Sequence, residues 1–177
     1  MKKNLYDWQL AGFVFTGILG VVLHFLYNWS NQSALVAPFS AVNESIWEHM
    51  KLLYVPMFIF ALIERWFFGE HYENFWCAKL AGFLLGLTLI PVLYYSYTGI
   101  FGASYDWINI VIFFVAATAT FLLEMWLLEH ENQSCFSPLL ALLLLCLIGF
   151  AFVVFTYVQP EIPLFQDPRT EMYGVNR

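Results

Sequence analysis

The chain has 177 residues, of which 61% are hydrophobic and only 11% are charged. Roughly a quarter of the residues in an ordinary soluble domain are charged, so this composition excludes a water-soluble globular protein and predicts a lipid bilayer as the main partner. The formal net charge of -6 is spread along the chain, and no cluster of lysine or arginine is suited to bind a phosphate backbone. We therefore expect no nucleic-acid partner.

Five apolar segments are each long enough to cross a hydrocarbon core, which requires about twenty helical residues. They predict a single all-α domain over 1–177, an integral membrane bundle whose spans lie at 8–27, 50–68, 76–97, 107–128 and 138–157. The remaining segment, 159–177, contains three prolines together with apolar residues that need cover. It predicts an ordered, non-helical flap outside the membrane that packs on the end of the bundle.

An odd number of spans places the two termini on opposite sides of the membrane. Basic residues are slightly more frequent on the N-terminal side, with Lys2, Lys3, Arg65 and Lys79 against Lys51, Arg169 and Arg177. By the positive-inside rule, this predicts a multi-pass protein of the cell membrane with a cytoplasmic N-terminus and an extracytoplasmic C-terminus.

The three cysteines, Cys77, Cys135 and Cys146, are an odd number without metal-ligand spacing. The last of them lies inside an apolar run. This pattern predicts neither a disulfide framework nor a zinc site.

The most informative stretch, 38–51, leads directly into the second span. Ser40 or Asn43 is suited to cap the start of a helix. Glu44 and Glu48 are four residues apart, so a helix would place both on one face, where like charges repel. One explanation is a simple ion pair between Glu48 and Lys51. The other is a site in which these carboxylates and His49 bind a divalent cation, or act as base and orienter in proton transfer.

Other polar residues are predicted to reach the same membrane face. His24 and Tyr27 end the first span, Asp106 opens the fourth, and Asp167 and Tyr173 lie in the tail. The predicted metal ligands are His24, Glu44, Glu48, His49 and Asp106, with Glu48 and His49 in the catalytic role. The predicted substrate-binding residues are Tyr27, Asn43, Trp47, Asp167 and Tyr173.

The opposite face carries mostly loop charges that are typical of a solvated rim. Glu64 and Glu124 lie deeper and therefore need partners, because ionisable groups inside a membrane are costly unless paired. Arg65 is the predicted partner for one of them.

Three motifs carry a resemblance to a known family. They are His24-Phe25-x-Tyr27, Asn43-Glu44-Ser45-x-Trp47-Glu48-His49-x-Lys51, and Leu164-Phe165-x-Asp167-Pro168-x-Thr170 with Tyr173-Gly174. Together they resemble a family of small bacterial multi-pass membrane proteins that is classed only as a domain of unknown function. The resemblance covers essentially the whole chain and implies a membrane location, but no catalytic residues. The family has glycine where this chain has Glu171.

Several functions are compatible with these residues. The first is a metal-assisted hydrolase or transferase that acts on a lipid-borne or outer-face substrate through a divalent ion. The second is a transporter or binding protein for a small solute or ion, with Glu64 or Glu124 on an inner path. The third is a b-type haem protein with paired histidines, His24 with His49 and His71 with His130. A structural or accessory membrane protein is the fourth, so whether the chain is an enzyme stays open, as do its substrate and oligomeric state.

Overall fold

A computed structural model of the protein describes residues 2–130 and 135–175. Within them the chain forms five α-helices and a short 3-10 helix, and the only strand-like feature is an isolated antiparallel bridge between Gln166 and Tyr173. The prediction of an all-α chain with five helices is therefore confirmed. The helices are α1 (Lys2–Trp29), α2 (Ile46–Phe67), α3 (Phe75–Phe101), α4 (Asp106–Glu129) and α5 (Pro138–Tyr157), and the 3-10 helix is Gly69–His71.

All five helices are long and apolar enough to cross a membrane. Their outward surfaces carry large apolar side chains, among them Ile18, Ile110, Leu143 and Phe150, each more than half exposed. In α5 only 22% of the most apolar 18-residue stretch is buried inside the molecule. A surface of this kind is stable in lipid, where a helix satisfies its own backbone hydrogen bonds and apolar side chains carry no penalty.

Local chemistry fixes the helix ends beyond what hydropathy predicts. The second helix begins at Ile46 because Ser45 caps it, with the Ser45 hydroxyl accepting a hydrogen bond from the backbone nitrogen of Glu48 at 3.4 Å. The third helix continues to Phe101 and ends at Gly102, whose φ of 69° is left-handed. Glycine adopts that conformation without the steric cost that other residues meet.

The helices alternate in direction and define two ends of the bundle. α3 packs along α4, α1 packs against α2 and α4, and α5 lies against α3. The end that we call the disulfide face contains the start of α1, where Leu5 packs with Phe68, Tyr72 and Phe75. The opposite end, which we call the histidine face, contains the end of α1, the segment 30–45 and the tail that follows α5.

The prediction that the cysteines form no disulfide is wrong. Cys77, in the first turn of α3, is bonded to Cys135, which lies just before α5, across 58 residues of sequence. Cys146 is free and exposed. The pairing could not be predicted from the sequence, because the spacing of three cysteines does not show which two lie close together. The antiparallel packing of the helices brings Cys77 and Cys135 together.

Candidate metal centre

Three side chains from separate parts of the chain meet at the histidine face. His24 comes from the last turns of α1, Glu44 from the segment before α2, and His49 from the first turn of α2. Nε2 of His24 lies 3.7 Å from Oε1 of Glu44, and Nε2 of His49 lies 3.7 Å from Oε2 of the same carboxylate. One donor atom from each residue lies within 4.8 Å of the other two. Two imidazoles and one carboxylate on a common centre are a ligand set that divalent transition metals accept.

The ring of His49 is oriented by its own helix. Its Nδ1 lies 2.9 Å from the backbone oxygen of Ser45. A carbonyl oxygen only accepts hydrogen bonds, so Nδ1 donates to it, and in the neutral ring this leaves the lone pair at Nε2, the nitrogen nearest Glu44. Metal-binding histidines are held in this way, with the second ring nitrogen donating to a backbone carbonyl or carboxylate.

The ring of His24 lies beside that of His49 at the edge of the bundle. The two ring centroids are 6.0 Å apart, and the Phe25 ring packs edge-on against His24 at 4.8 Å. The side chains of His24, Glu44 and His49 are 26%, 29% and 20% exposed. The cluster is thus shielded on most sides and open on one, which leaves a route for an ion or a small molecule.

The segment that carries Glu44 is fixed to the end of α1. The Ser40 hydroxyl donates a hydrogen bond to the backbone oxygen of Leu23 and accepts one from the backbone nitrogen of Tyr27. The Asn43 side-chain oxygen accepts from the backbone nitrogen of Ser45 at 3.0 Å. These contacts tie the loop to α1 and to the cap of α2, so Glu44 is held between the two histidines.

The C-terminal tail holds the same segment from the other side. Oδ2 of Asp167 accepts a hydrogen bond from the backbone nitrogen of Glu44 at 3.3 Å, while its Oδ1 accepts from the backbone nitrogens of Arg169 and Thr170. The Asn43 amide donates to the backbone oxygen of Gly174 at 3.2 Å. Asp167 is only 5% exposed, and its contacts are those of a residue that shapes the loop.

The indole of Trp47 anchors the tail through aromatic packing. Its ring centroid lies 4.5 Å from that of Phe152 and 4.6 Å from that of Phe165, and its backbone nitrogen donates to the oxygen of Leu164 at 3.0 Å. Trp47 therefore joins the start of α2, the end of α5 and the tail.

Glu48 points away from the histidines. The premise that Glu44 and Glu48 share a helix face is wrong, because α2 begins at Ile46 and Glu44 precedes its cap. Glu48 is fully buried and pairs with Lys51 at 2.6 Å, and its Oε2 also accepts from the backbone nitrogen of Val42 at 3.1 Å. The structure therefore shows the simple ion pair, and it does not bring Glu48 to the cluster.

Lys51 extends that pair into a buried network. Its Nζ donates to the backbone oxygen of Ala37 at 2.9 Å and to the hydroxyl of Thr156 at 3.0 Å. The network joins α2, α5 and the segment 30–45. Its role in this geometry is to hold the segment that carries Glu44.

Asp106 also lies outside the cluster. Its Oδ1 binds the guanidinium of Arg169 at 2.7 Å, and both side chains are more than half exposed. The hydrogen bond to Asp106 raises the pKa of Arg169 above its ordinary value. Tyr27 is 4% exposed, and the backbone of Tyr173 bridges to that of Gln166. The substrate-binding role of both residues stays a prediction.

A small cavity of about 10 Å³ adjoins the cluster, and two of its polar lining residues were not predicted from the sequence. It is lined by Glu44, Ile46, His49, Ile90, Tyr94, Asn109, Ile112 and Phe113. Tyr94 lies in the last two turns of α3 and Asn109 in the first turn of α4, and neither belongs to a motif that marks a site. A cavity of this size has room for about one water molecule.

The capping serine was another residue that the sequence analysis missed, although a signal was present. Ser45 precedes Glu48 by three residues, which is the S-x-x-E pattern of a helix start. Recognising it would have placed Glu44 outside the helix.

Comparison with known proteins gives a family but no activity. The sequence pattern of a family of unknown function (DUF6512) matches residues 1–175. The chain belongs to this family. The DUF6512 match spans all five helices and the tail, so the cluster and the segments that hold it lie within the family's own extent. No curated protein and no solved structure matches the chain.

Proposed function

We propose that this member of the DUF6512 family binds a divalent transition metal ion through His24, Glu44 and His49 at the histidine face of the bundle. The observation that carries the proposal is the approach of their donor atoms to within 4.8 Å of one another. Bonds from zinc to nitrogen and oxygen ligands are about 2.0–2.2 Å, so small rotations of these partly exposed side chains bring all three into the ligand sphere. The lone pair that His49 presents at Nε2 supports the same assignment.

Three protein ligands leave a coordination position free, which is typical of catalytic rather than structural metal sites. A metal bound there supplies a Lewis acid and an activated water. The cavity beside Glu44 and His49 has room for such a water. We therefore propose a metal-assisted hydrolase or transferase, in which His49 acts as a ligand and the buried Glu48 as a positioning residue. The substrate is a small molecule or lipid head group that reaches the histidine face.

The haem alternative fits this geometry poorly. The carboxylate of Glu44 lies between the two imidazoles of His24 and His49, and the adjoining cavity of about 10 Å³ is far smaller than a porphyrin.

The disulfide bears on the orientation in the membrane. Lys51 and Lys79 are both buried in ion pairs, so they do not count for the positive-inside rule. The basic residues that remain are Lys2, Lys3 and Arg65 on the disulfide face and Arg169 and Arg177 on the histidine face. That difference is one residue. Disulfides persist in oxidising compartments and are rare in reducing ones. We therefore propose the opposite of the orientation expected from charge, with the disulfide face outside the cytoplasm and the histidine face inside.

Reporter fusions distinguish the two orientations. With a cytoplasmic histidine face, green fluorescent protein fused after Arg177 fluoresces, and alkaline phosphatase fused there is inactive. An active phosphatase and a dark fluorescent protein at that position contradict the proposed orientation. The metal site is unaffected by either result, because it depends only on contacts within the histidine face.

Metal analysis of the purified protein tests the site itself. We expect one divalent ion per chain in the wild type and loss of that ion in His24→Ala, Glu44→Ala and His49→Ala. His130→Ala is the matched control, because His130 is an exposed histidine on the disulfide face and its loss leaves metal content unchanged. Absence of metal from the wild type after incubation with zinc, manganese, iron or cobalt, or equal content in all variants, overturns the proposal and favours an accessory membrane protein.

A further inference from the structure

A second cluster of ionisable residues lies inside the bundle near the disulfide face, far from the histidines. Glu64 of α2, Lys79 of α3 and Glu124 of α4 are at most 1% exposed. Nζ of Lys79 lies 2.5 Å from Oε2 of Glu64 and 2.6 Å from Oε2 of Glu124. The expected partner Arg65 is in neither pair, since its guanidinium carbon lies over the Phe75 ring at 5.9 Å. The residue that joins the two carboxylates is Lys79.

The charges of this cluster do not balance. Two carboxylates and one ammonium give a formal charge of -1 in a place closed to water, and an uncompensated buried carboxylate costs several kcal/mol or more. The neighbours on other helices are neutral. The Gln9 amide of α1 donates to Oε1 of Glu64 at 2.7 Å, and the Phe121 ring lies 5.9 Å from Nζ of Lys79.

No other ionisable group of the described residues neutralises the cluster. The charged side chains described near this end of the bundle lie at the surface or are partly exposed, and no ion pair joins them to Glu64 or Glu124. They are Asp7, Arg65, Glu70, His71, Glu73, Glu129 and His130. The described residues therefore do not supply the missing positive charge.

The chain is shaped to hold the second carboxylate in place. Glu124 lies against the backbone of Gly82, where an added Cβ would be 2.5 Å from Cγ and 2.7 Å from Oε1 of the glutamate. Only glycine leaves that space free. Oε1 of Glu124 is buried and has no hydrogen-bond partner, and the same is true of Oε1 of Gln9. Such unsatisfied atoms in a fully buried cluster indicate a small ligand that brings a hydrogen-bond donor or a charge.

We propose that Glu64 and Glu124 together bind one exchangeable proton, which makes the cluster with Lys79 electrically neutral. A proton needs no coordination space beyond a carboxylate oxygen, and the free Oε1 of Glu124 is the atom placed to carry it. This site is separate from the proposed metal centre, and neither depends on the other.

A groove lies beside this cluster and shares Gln9 and Phe121 with its surroundings. It has a volume of about 180 Å³ and runs between α1 and α4, lined by Tyr6, Gln9, Leu10, Phe13, Thr118, Phe121, Leu122 and Met125. At about 30 Å³ per molecule, it has room for several waters. Gln9 lines the groove and also binds Glu64, so the groove ends next to the first carboxylate. The Gln9 side chain therefore separates the groove from Glu64, and we propose that proton exchange takes place through its movement.

Infrared spectroscopy of the purified full chain in lipid tests this inference. At neutral pH the wild type is expected to show the carbonyl band of a protonated carboxylic acid, shifted to lower frequency in deuterium oxide. A single Glu64→Gln or Glu124→Gln change leaves one carboxylate for Lys79 and removes the need for the proton, so each is expected to lose the band. Glu129→Gln, at the exposed end of α4, keeps it.

Two results overturn the proposal. One is a wild-type spectrum without a carboxylic acid band that is sensitive to deuterium. The other is a band that persists in both glutamine variants, which places the proton elsewhere. Should a glutamine variant fail to fold, Glu124→Asp keeps an acid at that position and is expected to shift the band, and an unshifted band there counts against the proposal in the same way.

Discussion

The backbone nitrogen of Glu44 donates a hydrogen bond to Oδ2 of Asp167, 123 residues further along the chain. The residue that faces both histidines is therefore held in place by the tail. The turn at 167–171 is stabilised by the other carboxylate oxygen, which accepts from Arg169 and Thr170. Asp167 thus holds Glu44 with one oxygen and stabilises the turn with the other, and a substitution can remove the first contact without the second.

Asp167→Asn is expected to weaken metal binding by about 10–100-fold, the usual effect of losing a group that orients a ligand. The amide keeps one oxygen for the turn but replaces the other with an N–H group, which cannot accept from Glu44. Isothermal titration with zinc measures the effect. Glu161→Gln, which alters an exposed carboxylate of the same tail, is the control and leaves the affinity unchanged. Equal affinity in Asp167→Asn and the wild type contradicts the role assigned to the tail.

Lys51→Met is expected to destabilise the protein by about 3–5 kcal/mol, because it leaves the buried charge of Glu48 without a partner. The double variant Glu48→Gln with Lys51→Met removes both charges and is expected to recover most of the loss. Thermal unfolding in detergent compares the three proteins. A Lys51→Met variant as stable as the wild type would show that the ion pair between Glu48 and Lys51 does not hold the segment 30–45.

Loss of the disulfide through Cys77→Ser is expected to destabilise the protein by about 2–4 kcal/mol, since the bond closes a long loop of chain. Thermal unfolding of the wild type with and without reductant gives the same comparison without mutation. Cys146→Ser serves as the control because Cys146 is free. A wild type whose thiols all react with maleimide under non-reducing conditions would show that the bond does not form.

Glu171→Gly is expected to stabilise the tail by up to about 1 kcal/mol, because Glu171 has a φ of 59° and a side chain is costly in left-handed backbone. Glycine is also the residue that the family resemblance places there. Gly174→Ala provides the opposite case, since its φ is 72° and alanine introduces the strain that glycine avoids. Thermal unfolding of the two variants should move in opposite directions, and movement in the same direction contradicts the argument.

The apolar runs were sufficient to predict five helices, because hydropathy and length decide which segments are stable in lipid. The polar contacts were harder, since they depend on where each helix begins. A cap predicted at Ser40 or Asn43 assigned Glu44 and Glu48 to one helix face, whereas the observed cap, Ser45, separates them. His24 and His49 were predicted to meet because alternating spans bring the end of α1 to the start of α2. The partner of Glu64 and Glu124 was predicted wrongly as Arg65, the neighbour of Glu64 in the sequence. The packing of α3 places Lys79 between the two carboxylates instead.

The contact between Glu44 and Asp167 also sets the order in which the histidine face is completed. A ribosome has synthesised all five helices before it adds Asp167, so a nascent chain that already spans the membrane still lacks the acceptor for the Glu44 amide. Until translation passes the tail, the segment that carries Glu44 lacks this hydrogen bond. For the proposed metal site, this predicts that finished molecules bind ions more tightly than immature ones.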